Sequence, residues 1–214
     1  MATKMSSPKN SPTLSVAAAV ARISWRLSAS SGPLRLSTAP SAIECSDETT
    51  LDQGRSSPAW PVLQGLIGDH HGSVLLLEYT SADPAVEPDP EPVRTALAAT
   101  GRSRTVVATT DRAQQAAAWK VREDAVGLLA KVVVGEPERS ARPTAMVEDC
   151  AVPVGEMAAF IAGFRAVLDG HGLTYGMFGH ADVGCVHVRP ALDLADPAHE
   201  ALVRPITDEV VGLV

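Results

Sequence analysis

Residues 175–190 read YGMFGHADVGCVHVRP and carry two of the chain's six histidines, one of its three cysteines and an arginine. His180 and His187 lie seven positions apart. On a helix they would share a face but stand about 10.5 Å apart along the axis, too far to share one metal at about 2.1 Å. On an unbroken strand an odd spacing sends them to opposite faces. Only a turn or bulge between them lets the imidazoles converge, and Asp182 and Gly184 are residues that such a turn favours. After Gly184 the order Cys185, Val186, His187, Val188, Arg189 alternates. A strand there places Cys185, His187 and Arg189 on one face and both valines in the core. The stretch reads as the fourth strand region, and it permits a shared site without demanding one, a partly exposed edge strand being the other reading.

Upstream, TAMVEDCAVP (residues 144–153) reads as a strand stopped by Pro153. Met157, Phe160, Ile161, Phe164, Val167 and Leu168 follow at spacings of three and four, the period of an amphipathic helix that Gly170 and Gly172 end. SVLLLEYTS (residues 73–81) and RTVVATT (residues 104–110) read as strands, with a Pro-rich loop and a short helix over residues 93–99 between them. Asp111 stands at the N-cap position of a long Ala- and Leu-rich helix. Downstream, DPAHEALVRPITDEVVGLV begins a helix that Pro205 interrupts. The last residues continue that helical pattern, and truncation at the C-terminus is expected.

Strands alternating with helices predict an α+β fold, most simply a ferredoxin-like antiparallel sheet with helices packed on one face. Residues 1–60 read as a low-complexity, disordered segment preceding a domain over residues 61–214. Up to Ala42 every charge is basic (Lys4, Lys9, Arg22, Arg26, Arg35), the first acid is Glu44, and Ser, Ala, Thr and Pro dominate. A disordered tail is favoured over a transit peptide, since no amphipathic helix stands out.

A 214-residue chain with 45% hydrophobic and 20% charged residues has the make-up of a globular protein. Its net charge of −7 argues against nucleic acid, which needs clustered Lys and Arg. Three cysteines without a CxxC pair suggest neither a disulfide framework nor an iron–sulfur cluster. A reducing, cytoplasmic location is expected, with or without peripheral attachment to the inner face of a membrane. No apolar run reaches the ~18 residues of a membrane span.

GHADVGCVH, with HGLTYGMF before it and VRPALDL after it, resembles the C-terminal substrate domain of FAD-linked 2-hydroxy acid dehydrogenases, the group that includes D-lactate dehydrogenase, the glycolate oxidase flavoprotein subunit and D-2-hydroxyglutarate dehydrogenase. The resemblance is to the long bacterial branch that carries its own iron–sulfur domain. It runs from about Ser73 to the end, through AAAWKVREDAVGLL and VEDCAVP. It implies that His180 and His187 face the flavin and act in catalysis, or ligate a divalent metal such as zinc. It also implies that Arg122, in the Trp-x-x-Arg-Glu signature of Trp119, Arg122 and Glu123, holds the substrate carboxylate through a guanidinium fork, with Arg189 as a second substrate contact. Trp119 and Cys185 are the expected cofactor contacts. Cys185 stands where the family's common motif has Asn, so no side-chain amide serves there. The glutamate that completes the metal site in relatives lies beyond Val214.

Oxidising a 2-hydroxy acid needs a carboxylate anchor, a base or metal for the hydroxyl proton, and a hydride acceptor. No GxGxxG fingerprint for a nicotinamide cofactor occurs here, so the acceptor implied is FAD, bound by a flavin-binding domain or subunit outside this chain. Without that partner the chain is an incomplete enzyme. Two other readings use the same residues: a non-catalytic ferredoxin-like module binding a small acid or metal, and a zinc hydrolase drawing its remaining groups from Asp182, Glu148 and Asp149. Only one of Glu148 and Asp149 faces the site if the backbone there is a regular strand. Cys150 reads as a small buried filler.

Overall fold

The computed structural model describes residues 16–23, 40–69, 72–80, 89, 91–99, 103–131 and 141–214. Their centrepiece is one antiparallel sheet. Its strands are β1 (Val16–Ile23), β2 (Ala42–Ser46), β3 (Ser73–Thr80), β4 (Ser103–Thr109), β5 (Arg142–Pro143), β6 (Cys150–Ala151), β7 (Tyr175–His180) and β8 (Cys185–Leu192). The spatial order is β4-β1-β3-β2-β7-β8-β5, and β6 also pairs with β8. The helices are α1 (Glu48–Gly54), α2 (Trp60–Ile67), α3 (Glu91–Ala99), α4 (Arg112–Leu129), α5 (Met157–Gly170), α6 (Pro197–Glu200) and α7 (Val203–Val211).

The antiparallel α+β class is as expected, but helices cover both faces of the sheet rather than one. The alternation of β3 decides this. Leu75, Leu77 and Tyr79 enter the larger core with Val93 and Leu97 of α3, Phe160, Ile161, Phe164 and Leu168 of α5, and Ile206 and Val210 of α7. Leu76 points the other way, into a cluster with Leu51 of α1, Trp60 and Leu63 of α2, and Ala118 and Val121 of α4. SVLLLEY has apolar residues at successive positions because both of its faces are covered.

Residues 40–60 are not the disordered segment that their composition suggested. β2 is an interior strand between β3 and β7. Cys45 enters the larger core while Glu44 and Ser46 are buried on the opposite face. A strand of five residues with acid and hydroxyl groups on one side lacks the apolar run that composition detects. Asp47 then caps α1, accepting a hydrogen bond from the Thr50 N–H at 2.9 Å, while its own N–H donates to the Met177 carbonyl at 2.8 Å. Residues 1–15 and 24–39 of the expected tail lie outside the described residues.

The expected long strand over residues 144–153 shrinks to β6, because Asp149 adopts a left-handed backbone conformation, φ 62°. Asp111 caps α4 as expected, accepting from the N–H groups of Ala113 and Gln114. Pro205 lies in the first turn of α7, and the helical pattern is interrupted before it, by a turn at residues 201–202 between α6 and α7. α7 itself closes at Val211, where the Gly212 N–H bonds the Asp208 carbonyl.

Candidate functional site

The β7–β8 hairpin supplies the turn that lets its two histidines converge. Residues 181–184 turn, and Gly184 at φ 74° supplies the left-handed residue. A Cβ there would lie 2.0 Å from the Val152 carbonyl oxygen, so only glycine fits. The register then sets lateral rows of side chains. Glu44 on β2 lies beside His180 on β7, and His180 beside Cys185 on β8. In the next row Ser46, Phe178 and His187 are neighbours. Val186 and Val188 are fully buried on the reverse face.

The two imidazoles therefore share one surface. Their rings stand edge to face with centroids 5.2 Å apart, and His187 stacks on Phe178 at 4.9 Å. Each ring is held through Nδ1 by a carboxylate: His180 by Glu44 Oε1 at 2.8 Å, and His187 by Asp149 Oδ1 at 2.6 Å. An ionised carboxylate can only accept, so Nδ1 carries a proton, and in the neutral ring the lone pair is on Nε2. Of the other histidines, His171 pairs with Glu209, His199 accepts the Asp193 N–H, and His70 and His71 lie outside the described residues.

Arg122 reaches this surface from α4. Its Nε and Nη2 both donate to Glu44 Oε2, at 3.0 and 2.6 Å. Glu44 is 7% exposed and binds the arginine through one oxygen and His180 through the other. It is the residue that sequence reasoning missed. Its signal was the alternation of AIECS, hidden by the assignment of that stretch to a tail. Beneath the pair lies a narrow cavity of about 30 Å³ whose walls include Leu51, Leu63, Leu76, Ala118 and Val121, an apolar backing that strengthens the charges above it.

Arg189 donates to Glu148 Oε1 at 2.6 Å, and the guanidinium groups of Arg122 and Arg189 lie 5.9 and 5.6 Å from the Phe178 ring. Glu148 and Asp149 both face the site, contrary to the alternation argument, because the left-handed turn at Asp149 breaks the strand period. Trp119 sits a turn before Arg122 on α4, half-buried against the cluster formed with α1 and α2. Cys185 Sγ is 3.9 Å from His187 Nε2. Among the described residues, the donor atoms of Asp149, Cys185 and His187 lie within 4.8 Å of one another, a group that does not include His180. Burial raises the Cys185 thiol pKa, with Asp149 and Glu44 adding to the effect.

Cys45 and Cys150 stand apart from this surface. Cys45 donates to the Gly179 carbonyl from within the core, and burial pushes its pKa up to about 12. Cys150 packs half-buried against the same core, as a filler should.

The architecture defines an α+β domain built on one wide antiparallel sheet, with a charged surface where two strands of its edge half are left open. The chain belongs to the family described as FAD linked oxidases, C-terminal domain, whose model matches residues 16–214. The match begins well before residue 61, in agreement with the folded β2 and α1. The D-2-hydroxyglutarate dehydrogenase of Pseudomonas putida is 54% identical over 95 residues, and that of Escherichia coli is 50% identical over the same length. Each of these matches covers 44% of this chain and 9% of the relative. Among solved structures, 4-ethylphenol oxidase from Gulosibacter chungangensis superposes with a TM-score of 0.48 at 16% identity, covering 94% of this chain and 43% of that one. No helix among the described residues is long and apolar enough to cross a membrane.

Proposed function

We propose that this chain is the substrate-binding part of an FAD-dependent oxidoreductase that oxidises a small D-2-hydroxy acid of the lactate, glycolate or 2-hydroxyglutarate type. The observation that carries the reading is Glu44, one buried carboxylate that fixes both Arg122 and His180 beside His187. Membership of an FAD-linked family and the names of the matched relatives support it.

Arg122 binds the substrate carboxylate. Glu44 occupies its Nε and one Nη2 hydrogen, so the remaining guanidinium hydrogens form the anchor. Arg189, whose guanidinium also lies near the Phe178 ring, holds the far end of a longer acid. The carboxylates on Nδ1 keep both rings in the tautomer that can accept the hydroxyl proton at Nε2, and the imidazolium that forms is stabilised by the same carboxylate. Trp119 and Cys185 are the cofactor-side contacts in this reading. FAD, when bound, supplies the hydride-accepting chemistry that no side chain offers. A flavin-binding domain or subunit is the partner, and a cytoplasmic location goes with the free thiols.

The donor set also fits a divalent metal such as zinc. A carboxylate on Nδ1 fixes each imidazole with Nε2 left for a metal, as metal-binding histidines are commonly held. His180 and His187 would hold the ion, which would lower the pKa of the substrate hydroxyl as a Lewis acid.

The test is a chimera in which this chain replaces the matching segment of the Pseudomonas putida enzyme. Dye-linked oxidation of D-2-hydroxyglutarate, D-lactate or glycolate that is lost on His187→Ala is expected. A folded, flavin-loaded chimera that oxidises none of the three would overturn the proposal. Binding of the acids in such an inactive chimera would favour the non-catalytic module, and metal-dependent ester hydrolysis by the chain alone would favour the hydrolase.

A further inference from the structure

We infer that Cys185 is itself a metal ligand, alongside His187, and that the site therefore takes a thiophilic divalent ion such as zinc or cobalt in preference to magnesium or manganese. The inference rests on the reading that this face binds a metal. It starts from three donors on two short segments. Cys185 and His187 are two residues apart on β8, so strand geometry puts them on one face, and Sγ lies 3.9 Å from Nε2. At metal distances of about 2.3 Å for sulfur and about 2.0–2.1 Å for nitrogen, a tetrahedral angle separates such donors by about 3.6 Å. The pair is therefore almost at ligation distance before any ion binds.

The surroundings hold the pair in place. His187 cannot swing freely, being stacked on Phe178 and tied through Nδ1 to Asp149. Its Nε2 is the nitrogen turned toward the sulfur. Cys185 is fixed by the β7–β8 ladder and by pairing with Ala151 of β6. The Asp149 carboxylate lies within 4.8 Å of both other donors at the exposed rim, where it can orient His187 or close the set. The other two thiols cannot compete. Cys45 is buried on the opposite face, and Cys150 packs against the core with its Sγ donating to the Val147 carbonyl. A thiolate selects soft or borderline ions, whereas oxygen-only sites suit magnesium and manganese.

The experiment is titration of the purified full chain with cobalt(II), followed by near-ultraviolet absorbance. One bound cobalt with a sulfur-to-cobalt charge-transfer band is expected. Cys185→Ser should abolish the band and weaken binding at least tenfold, while Cys150→Ser should leave both unchanged. Circular dichroism checks that each variant is folded. X-ray absorption at the zinc edge of the wild-type chain gives a second reading that needs no variant: one sulfur at about 2.3 Å is expected. Cobalt bound without the band, a band that survives Cys185→Ser, or a zinc shell of nitrogen and oxygen alone would overturn the thiolate ligand and leave the metal reading standing. Absence of cobalt or zinc binding would overturn both.

Discussion

Glu44 is the residue on which the site turns, because removing its charge releases two partners at once. Glu44→Gln keeps the shape but gives Arg122 a weaker acceptor and no longer dictates the tautomer of His180. We expect it to lower stability by about 1–3 kcal/mol and to weaken acid binding, read by thermal melting and calorimetry on the same protein. A variant as stable as wild type would show that the bridge contributes nothing. Asp47 tests electrostatics of another kind. Its carboxyl is 3% exposed, and burial raises its pKa above the ordinary carboxylate value despite the Thr50 hydrogen bonds and Arg165. A raised pKa in the folded state means the group favours folding at low pH, and that this contribution is lost as pH rises through the folded value. Asp47→Asn retains a capping side chain without titrating. Urea unfolding should therefore show the variant gaining on wild type as pH rises from about 4 toward neutrality, and a gap that moves the other way would contradict the assignment.

The elements around these residues were legible to different degrees, for physical reasons. Alternation after Gly184 made β8 legible, since one register alone buries Val186 and Val188, whereas the spacing of the histidines allowed the turn before it without requiring one. Arg122 was legible through a family signature and the cap at Asp111, but Glu44 was not, because its strand is short and half polar. Asp149 was misjudged because a single left-handed residue breaks a period that sequence assumes to continue. β2 gives the firmest test of this account. Deleting residues 1–52 removes two interior strands, β1 and β2, and most of α1, so cooperative unfolding should be lost in circular dichroism melts. A truncated chain that melts like the full one would restore the disordered-tail reading. At the hairpin, Gly184→Ala should cost at least about 1–3 kcal/mol from its backbone conformation alone, with the Val152 contact adding to it. Denaturant midpoints would reveal it, and an unchanged midpoint would mean the turn rearranges freely.

As a whole molecule, the chain, in its described residues, sets a sheet between two helical layers, with a charged surface at the β7–β8 end. Its matched segment spans 9% of the length of the curated relatives, so the activity belongs to a larger assembly in this account. The chain purified by itself should show no flavin absorbance, and stoichiometric bound FAD would contradict the division of labour proposed. The central claim is narrower: a small hydroxy acid seats on Arg122 beside the paired histidines. Calorimetric titration of the zinc-loaded chain with D-2-hydroxyglutarate tests it without any flavin partner. Binding is expected, and it should fall at least tenfold, about 1.4 kcal/mol, in Arg122→Ala. Arg204→Ala, which removes an exposed helix-surface cation paired with Asp208, should leave it unchanged. Equal affinity in wild type and Arg122→Ala would contradict it.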